Sequence, residues 1–170
     1  TITQELPPRI FLFLLFPALV YIILLFLTPK GKQWVDTINV KWLTYLHIIR
    51  IPVELTLFGL YVHNFIPELM TFEGRNMDIL SGISAPIVGF LVFSKHIISN
   101  KILLIWNFIC LGLLLNIVTL AILSAPFPFQ QLAFGQPNIA IFYFPFVLLP
   151  GFVVPAVLLA HLISIRRLLN

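Results

Sequence analysis

Three polar residues, His47, Arg50 and Glu54, lie within a long apolar stretch of the sequence. They are separated by three and then four residues, so on a helix they share one face. If that stretch crosses a membrane, each charge costs about 2.5–3.5 kcal/mol on insertion scales unless it is paired or hydrated. The i, i+4 spacing therefore predicts an ion pair between Arg50 and Glu54.

These residue types can carry out binding and proton chemistry. Arg50 can hold Glu54 or an anionic group, and Glu54 can exchange a proton or bind a cation. His47 can tune the charge of the site or relay a proton. Pro52 removes one backbone hydrogen bond beside them and frees a carbonyl near residue 48, which needs a partner or a water. The pattern favours a polar intramembrane site next to a solvated cavity that opens toward the outer face.

Amide side chains farther along the chain are expected to complete this network. Asn107 and Asn116, with Thr119 near them, lie in a later apolar run. Polar groups inside helical bundles also hold helices together without any further role. A purely structural network is therefore the open alternative to a binding site.

A second polar cluster is expected at the outer face, where a short loop joins two apolar runs. Its members are His63, Glu68, Glu73 and Asp78. One histidine and three carboxylates can bind a divalent cation, but their spacing matches no metal motif. The favoured interpretation is an acidic loop that caps the following helix at Asn76 or Asp78. No metal site is predicted.

No cofactor is predicted either. Of the four histidines, only His96 and His161 are expected at the same depth, near the inner boundary, which disfavours bis-histidine haem ligation. Cys110 is the single cysteine and is expected to be a small buried side chain. The sequence contains no nucleophile elbow, phosphate loop, paired-histidine zinc helix or dinucleotide fingerprint.

The composition of the chain predicts the secondary structure that positions these residues. Hydrophobic residues make up 60% of the 170 residues, charged residues make up 9%, and the mean hydropathy is +1.06. Soluble domains contain about 45–50% apolar and about 25% charged residues, so this chain belongs to the membrane class. We predict an all-α integral membrane bundle, a single domain over 1–170, with about five transmembrane helices at 10–27, 40–65, 78–93, 102–123 and 139–165.

Basic residues in the short loops predict the orientation. Seven lie on one side, and the other side has only Arg9 and Arg75, together with acidic residues that include Glu5. The seven are Lys30, Lys32, Lys41, Lys95, Lys101, Arg166 and Arg167. With an odd number of spans, the amino end is outside and the carboxyl end is in the cytoplasm, assuming that no further span precedes Thr1. This bias also explains the net charge of +4 without nucleic acid as a partner.

Proline and small residues predict local features of three segments. Gly82, Ala85 and Gly89 favour close packing of the third span. Prolines 145, 150 and 155 should kink or unwind the fifth span. The outer loop 124–138, with three prolines, three phenylalanines and three glutamines, is expected to be ordered and to lie on the membrane interface.

Several stretches resemble a family of small bacterial integral membrane proteins with no characterised activity. They are PELMTFEGRN at 67–76, DIL at 78–80, SAPFPFQQ at 124–131 and QPNIA at 136–140. The resemblance covers most of the chain from the second span onward. It implies location in a bacterial inner membrane and nothing about mechanism.

The leading functional hypothesis is an inner-membrane protein that binds or passes a small polar solute or ion at His47, Arg50 and Glu54. The alternative is a non-catalytic subunit or scaffold, with a structural Arg50–Glu54 pair and an outer loop that docks a membrane protein partner. The third possibility is an intramembrane enzyme that uses Glu54 or His47 on a lipid or isoprenoid substrate. The lipid bilayer is the one partner common to all three.

Overall fold

The computed structural model describes residues 11–170, with side chains from Phe13 onward, and all of its regular elements are helical. Arg9 and Glu5, which contribute to the predicted orientation, lie outside the described residues. The helices are α1 (Phe16–Leu27), α2 (Pro29–Thr37), α3 (Val40–Leu46), α4 (Arg50–Val62), α5 (Ile79–Phe93), α6 (Asn100–Ser124) and α7 (Val154–Leu169).

Three continuous helical segments of the described chain are long and apolar enough to cross a membrane. They are Val40–Val62, which contains α3 and α4, then α6, and then Leu149–Leu169, which contains α7. A fourth is obtained if Phe13–Leu27 and α2 are counted together, although they meet at an angle of 92°. The helix α5 is apolar but shorter. The predicted all-helical architecture is confirmed for the described residues, with three or four helical segments that could cross a membrane.

The sharp bend between α1 and α2 follows from the residues at the junction. Pro29 occupies the first turn of α2, where a missing N–H leaves no hydrogen bond broken. The Thr28 hydroxyl oxygen accepts a hydrogen bond from the Gly31 amide at 3.1 Å and caps the helix. The exposed Trp34 and lysines 30 and 32 therefore lie on a short helix that runs across the end of α1.

The long helix Val40–Val62 is interrupted where Pro52 predicts a lost backbone bond. A 3₁₀ turn, His47–Ile49, joins α3 to α4 just before the proline. The tighter turn brings His47, Arg50 and Glu54 to the buried side of the helix.

Small residues let α5 pack closely on this helix, as predicted. A Cβ atom at Gly82 would lie 2.9 Å from Ile51 Cγ1, and one at Gly89 would lie 2.9 Å from the Tyr45 ring. Ala85 has no exposed surface. This close approach brings the residues at the start of α5 next to those at the start of α4.

The fifth predicted span is wrong over its first ten residues. Residues 139–148 form only a short 3₁₀ turn, Ala140–Phe142, and irregular structure, and the continuous helix begins with a π-helical turn at Leu149. Proline lacks the backbone donor used inside a helix, and Pro145 lies in this irregular segment, whereas Pro150 and Pro155 each fall in the first turn of a helical segment.

The described chain exposes many apolar side chains and buries a few charged ones. Large apolar side chains such as Phe16, Ile105 and Phe152 are exposed, while charged residues are buried in the middle. The main apolar core lies where α4, α6 and α7 meet.

Candidate functional site

Arg50 is the centre of a buried polar network. Its side chain is only 2% exposed. Nη1 donates hydrogen bonds to Asp78 Oδ1 at 2.5 Å and to the Cys110 carbonyl oxygen at 3.2 Å. Nη2 is 2.8 Å from His161 Nε2. One guanidinium therefore connects α4, the start of α5, α6 and α7.

The predicted Arg50–Glu54 ion pair is wrong, because the carboxylate that pairs with Arg50 is that of Asp78. Asp78 lies one helical turn before Gly82, on the same side of the chain. Since Gly82 lets α5 approach α4, the Asp78 carboxylate comes within reach of Arg50. Spacing along α4 could not reveal this contact between two helices.

The hydrogen bonds determine the tautomer of His161. A guanidinium nitrogen only donates, so His161 Nε2 must accept the hydrogen bond from Arg50. Its Nδ1 therefore carries the hydrogen and donates to Asn107 Oδ1 at 3.0 Å. Asn107 Nδ2 in turn donates to the Leu103 carbonyl at 3.0 Å. Asn107 thus joins the network as expected, but through His161, which was not among the predicted site residues.

His47 contacts this network through its ring. The ring stacks on that of His161 with centroids 4.0 Å apart, and the Trp106 ring lies edge-on to it at 5.6 Å. Neither ring nitrogen of His47 has a hydrogen-bond partner within residues 11–170. His161 and His96 were predicted to lie at the same depth, and this prediction is wrong. His96 is exposed, whereas His161 is buried and stacks on His47.

Glu54 lies one turn beyond Arg50 and is 1% exposed. Its Oε1 accepts a hydrogen bond from Asn76 Nδ2 at 2.6 Å, and Asn76 Oδ1 accepts one from the Asp78 amide at 3.0 Å. Asn76 was expected only as a helix cap, and it also holds Glu54. No described residue donates a hydrogen bond to Glu54 Oε2.

A cavity of about 130 Å³ adjoins these residues. Arg50, Glu54 and Asp78 contribute to its wall, and Asn138 is its one other polar lining residue among those described. The remaining wall is aliphatic or aromatic, from α4, α6, the segment before α7 and the outer loops. The described lining residues include no hydroxyl or thiol group.

The predicted outer cluster does not form. His63, Glu68 and Glu73 are exposed, whereas Asp78 is buried against Arg50. In the part of the chain that the structure describes, no group of three or more His, Cys, Asp or Glu side chains is placed to hold a metal ion. The cluster fails because Asp78 is the start of α5 and faces inward.

Asn116 is also separate from the network, contrary to prediction. It is exposed on α6, and its Nδ2 donates to the Arg75 carbonyl at 2.9 Å. It therefore ties the loop before α5 to α6. Thr119 is exposed and donates to the Leu115 carbonyl within its own helix.

Amide side chains tie the loop 124–138, predicted to lie on the outer side, to the helices. Gln136 Nε2 donates to the Ile66 carbonyl, and Asn138 Nδ2 donates to the Ala121 carbonyl at 3.2 Å. The Ile139 amide also donates to the Phe65 carbonyl at 3.0 Å. These contacts position the loop beside the cavity, where Asn138 forms part of the lining.

Residues 7–169 match a protein family described as a domain of unknown function, DUF8737. The chain belongs to this family. The match confirms the resemblance to an uncharacterised family that the sequence stretches indicated. No curated protein and no solved structure matches the chain.

In this family member, the charges around the cavity limit the possible chemistry. Arg50 is neutralised by Asp78, so Glu54, when ionised, is a second buried negative charge without a counterion of its own. Such a group is compensated by a proton or by a bound cation.

Proposed function

We propose that this chain is a multi-pass protein of a bacterial inner membrane, with five spans, the amino end outside and the carboxyl end in the cytoplasm. The seven-to-two bias of basic loop residues supports this orientation. The Arg166–Asp36 ion pair supports it further, because it joins the end of α7 to α2 at one end of the bundle.

The third span in this proposal is α5 together with the residues before it. Its 15 residues rise about 22 Å, less than the hydrocarbon thickness of about 30 Å. Thr71, Asn76 and Asp78 before it are buried within the protein. Irregular backbone is tolerated at membrane depth when protein surrounds it.

Within this frame, the protein binds or passes a small solute or ion at the His47, Arg50 and Glu54 region. The observation that supports this proposal is the position of Glu54, which is buried beside a cavity. One oxygen of its carboxylate accepts no hydrogen bond from any described residue. The charged groups that surround it are Arg50 and Asp78, which pair with each other. Glu54 is thus the group that exchanges a proton for a bound cation, and His47 and His161 pack on the inner side of Arg50.

The test is proton release by the protein in nanodiscs, measured with a pH dye in weakly buffered solution. Sodium, potassium or methylammonium chloride is added. We expect wild type to release protons with at least one of these cations and Glu54→Gln to release none. Glu68→Gln, an exposed outer-loop variant, serves as the matched control and should behave as wild type. Equal release by Glu54→Gln, or none by wild type, would remove the proton-exchange role.

A structural role in a larger complex is the competing proposal. It is favoured by Arg50, whose two terminal nitrogens both have protein partners on other helices. Phe129 and Phe134 are exposed on the outer loop and provide apolar surface for a membrane protein partner. Copurification of a stoichiometric partner, retained in Glu54→Gln, would favour this role over binding.

A further inference from the structure

The shape of the cavity restricts what can bind beside Glu54. Its wall follows α4 outward from Arg50 through Val53 and Leu57 to Leu60. Ten residues of helix rise about 15 Å, so the cavity extends over about that length. With a volume of about 130 Å³, it is narrow and elongated.

The polarity of the wall is uneven. Three of its four polar residues, Arg50, Glu54 and Asp78, lie at the deep end, and Asn138 lies beside the outer loop. The wall between these ends is apolar. An apolar cavity of comparable size, about 150 Å³, stays dry and binds benzene rather than water. A hydrated inorganic ion would lose its water along this passage without polar groups to replace it.

Some hydrogen-bonding atoms at the deep end have no partner. Asn76 donates to Glu54 Oε1. The terminal nitrogens of Arg50 are engaged by Asp78, the Cys110 carbonyl and His161, whereas its Nε has no partner among the described residues. Glu54 Oε2 is buried and receives no hydrogen bond from the described residues. A ligand head group that donates a hydrogen bond complements this end, and a carboxylate or phosphate is repelled by it.

Some side chains that line the cavity are also exposed on the outside of the bundle. Ile122 on α6 lines it and is 42% exposed on the apolar surface. Leu15, before α1, also contributes to the wall and is partly exposed. The wall is therefore one side chain thick toward the lipid, which suits entry of molecules dissolved in the bilayer.

We infer that the ligand is a short amphipathic molecule, with an alkyl chain in the apolar cavity and an amine or hydroxyl group that donates to Glu54 Oε2. This inference rests on the proposed function and specifies its ligand class. Burial of the alkyl chain in the apolar cavity favours binding, and the head group donates a hydrogen bond to the carboxylate.

The experiment measures binding of hexylamine, hexanol, hexane and hexanoate to the protein in nanodiscs by calorimetry, with empty nanodiscs correcting for lipid partition. Hexylamine should bind most tightly, hexanol next, and hexanoate not at all. Hexylamine should bind at least about tenfold more tightly than methylammonium, a difference of about 1.4 kcal/mol. Glu54→Gln should weaken hexylamine binding by about the same factor.

Variants of residues that line the cavity test whether hexylamine binds there. Leu57→Phe narrows the cavity and should weaken hexylamine binding on the order of tenfold. Leu55→Phe, on the lipid-facing side of the same helix, is the matched control and should bind as wild type. Val118→Phe, at a partly buried lining position, replaces Leu57→Phe if that variant does not fold.

The outcomes separate this inference from the proposed function. If methylammonium releases protons but hexylamine binds no more tightly, the ligand class is wrong and the proposed function stands. Equal binding of hexane and hexylamine, or unchanged binding in the cavity variants, also overturns the ligand class. If neither amine binds and none of the three cations releases protons, both proposals fail.

Discussion

Two arginine–aspartate pairs in this protein have the same chemistry and different surroundings. Arg50 and Asp78 are 2% and 6% exposed in the middle of the bundle. Arg166 and Asp36 are 28% and 38% exposed where the end of α7 meets α2. The exposed pair has the better geometry, since Arg166 Nε and Nη2 each donate to a separate Asp36 oxygen at 2.9 and 2.8 Å.

The comparison shows that burial, rather than pair geometry, determines how much each pair matters. Water and salt can replace either partner of an exposed pair, so such pairs contribute little. A buried charge left without its partner cannot be hydrated. Arg50 also connects four parts of the bundle, whereas Arg166 connects only α2 and α7. Variants of the two pairs should therefore differ strongly.

The largest effect is expected for Asp78→Ala. It leaves Arg50 charged and uncompensated in the interior, which should lower the free energy of unfolding by about 3–5 kcal/mol. Thermal unfolding in detergent measures this loss. Combining it with Arg50→Met removes the unpaired charge and should recover part of the stability. A single variant as stable as wild type would mean that the buried pair is dispensable.

A smaller effect is expected for His161→Phe, which keeps an aromatic ring against His47. The change leaves Arg50 Nη2 and Asn107 Oδ1 without their hydrogen-bond partner. The expected loss is about 1–3 kcal/mol in the same unfolding assay. His96→Phe, at an exposed histidine, is the control and should be near neutral. Equal effects of the two variants would contradict the assigned network.

The smallest effect is expected for Asp36→Asn, and it should depend on pH. Hydrogen bonds from Arg166 hold the pKa of the Asp36 carboxyl below its ordinary value of 3.8. Because the folded pKa is lowered, the pair stabilises the protein above pH 3.8, and this contribution is lost as pH falls through the folded value.

Melting temperatures of wild type and Asp36→Asn between neutral and acidic pH measure this dependence. The difference should be constant near neutrality, disappear in acid and shrink at high salt. A difference that persists in acid, or one as large as that of Asp78→Ala, would remove the contrast between the two pairs.

The fold was predictable where the signal is local. Apolar run length located α1, α4 and α6, and Gly82 and Gly89 correctly indicated where α5 packs closely. The beginning of the last helix was not located, because the apolar run 139–148 resembles a span by hydropathy. Pro145 lacks the backbone N–H that donates a hydrogen bond inside a helix. It therefore disfavours a helix there, although the run is apolar.

The candidate site was predictable only in part. His47, Arg50 and Glu54 share a buried face, as their spacing indicated, and Asn107 joins them. Asp78 and Asn76 were assigned to the outer loop, since carboxylates and amides before a helix usually cap it. His161 was compared only with His96, because depth along separate helices was all that could be estimated.

By itself, the sequence determined that the chain is helical, that its surface is apolar, and which residues on one helix share a face. These properties depend on composition and on a spacing of three or four residues. Only the tertiary structure decided that Arg50 pairs with Asp78, which leaves Glu54 facing the cavity with one oxygen unengaged. The pairing of Arg50 with Asp78 depends on how closely α5 approaches α4 at Gly82. A contact between helices that are distant in sequence leaves no periodic pattern in a single sequence.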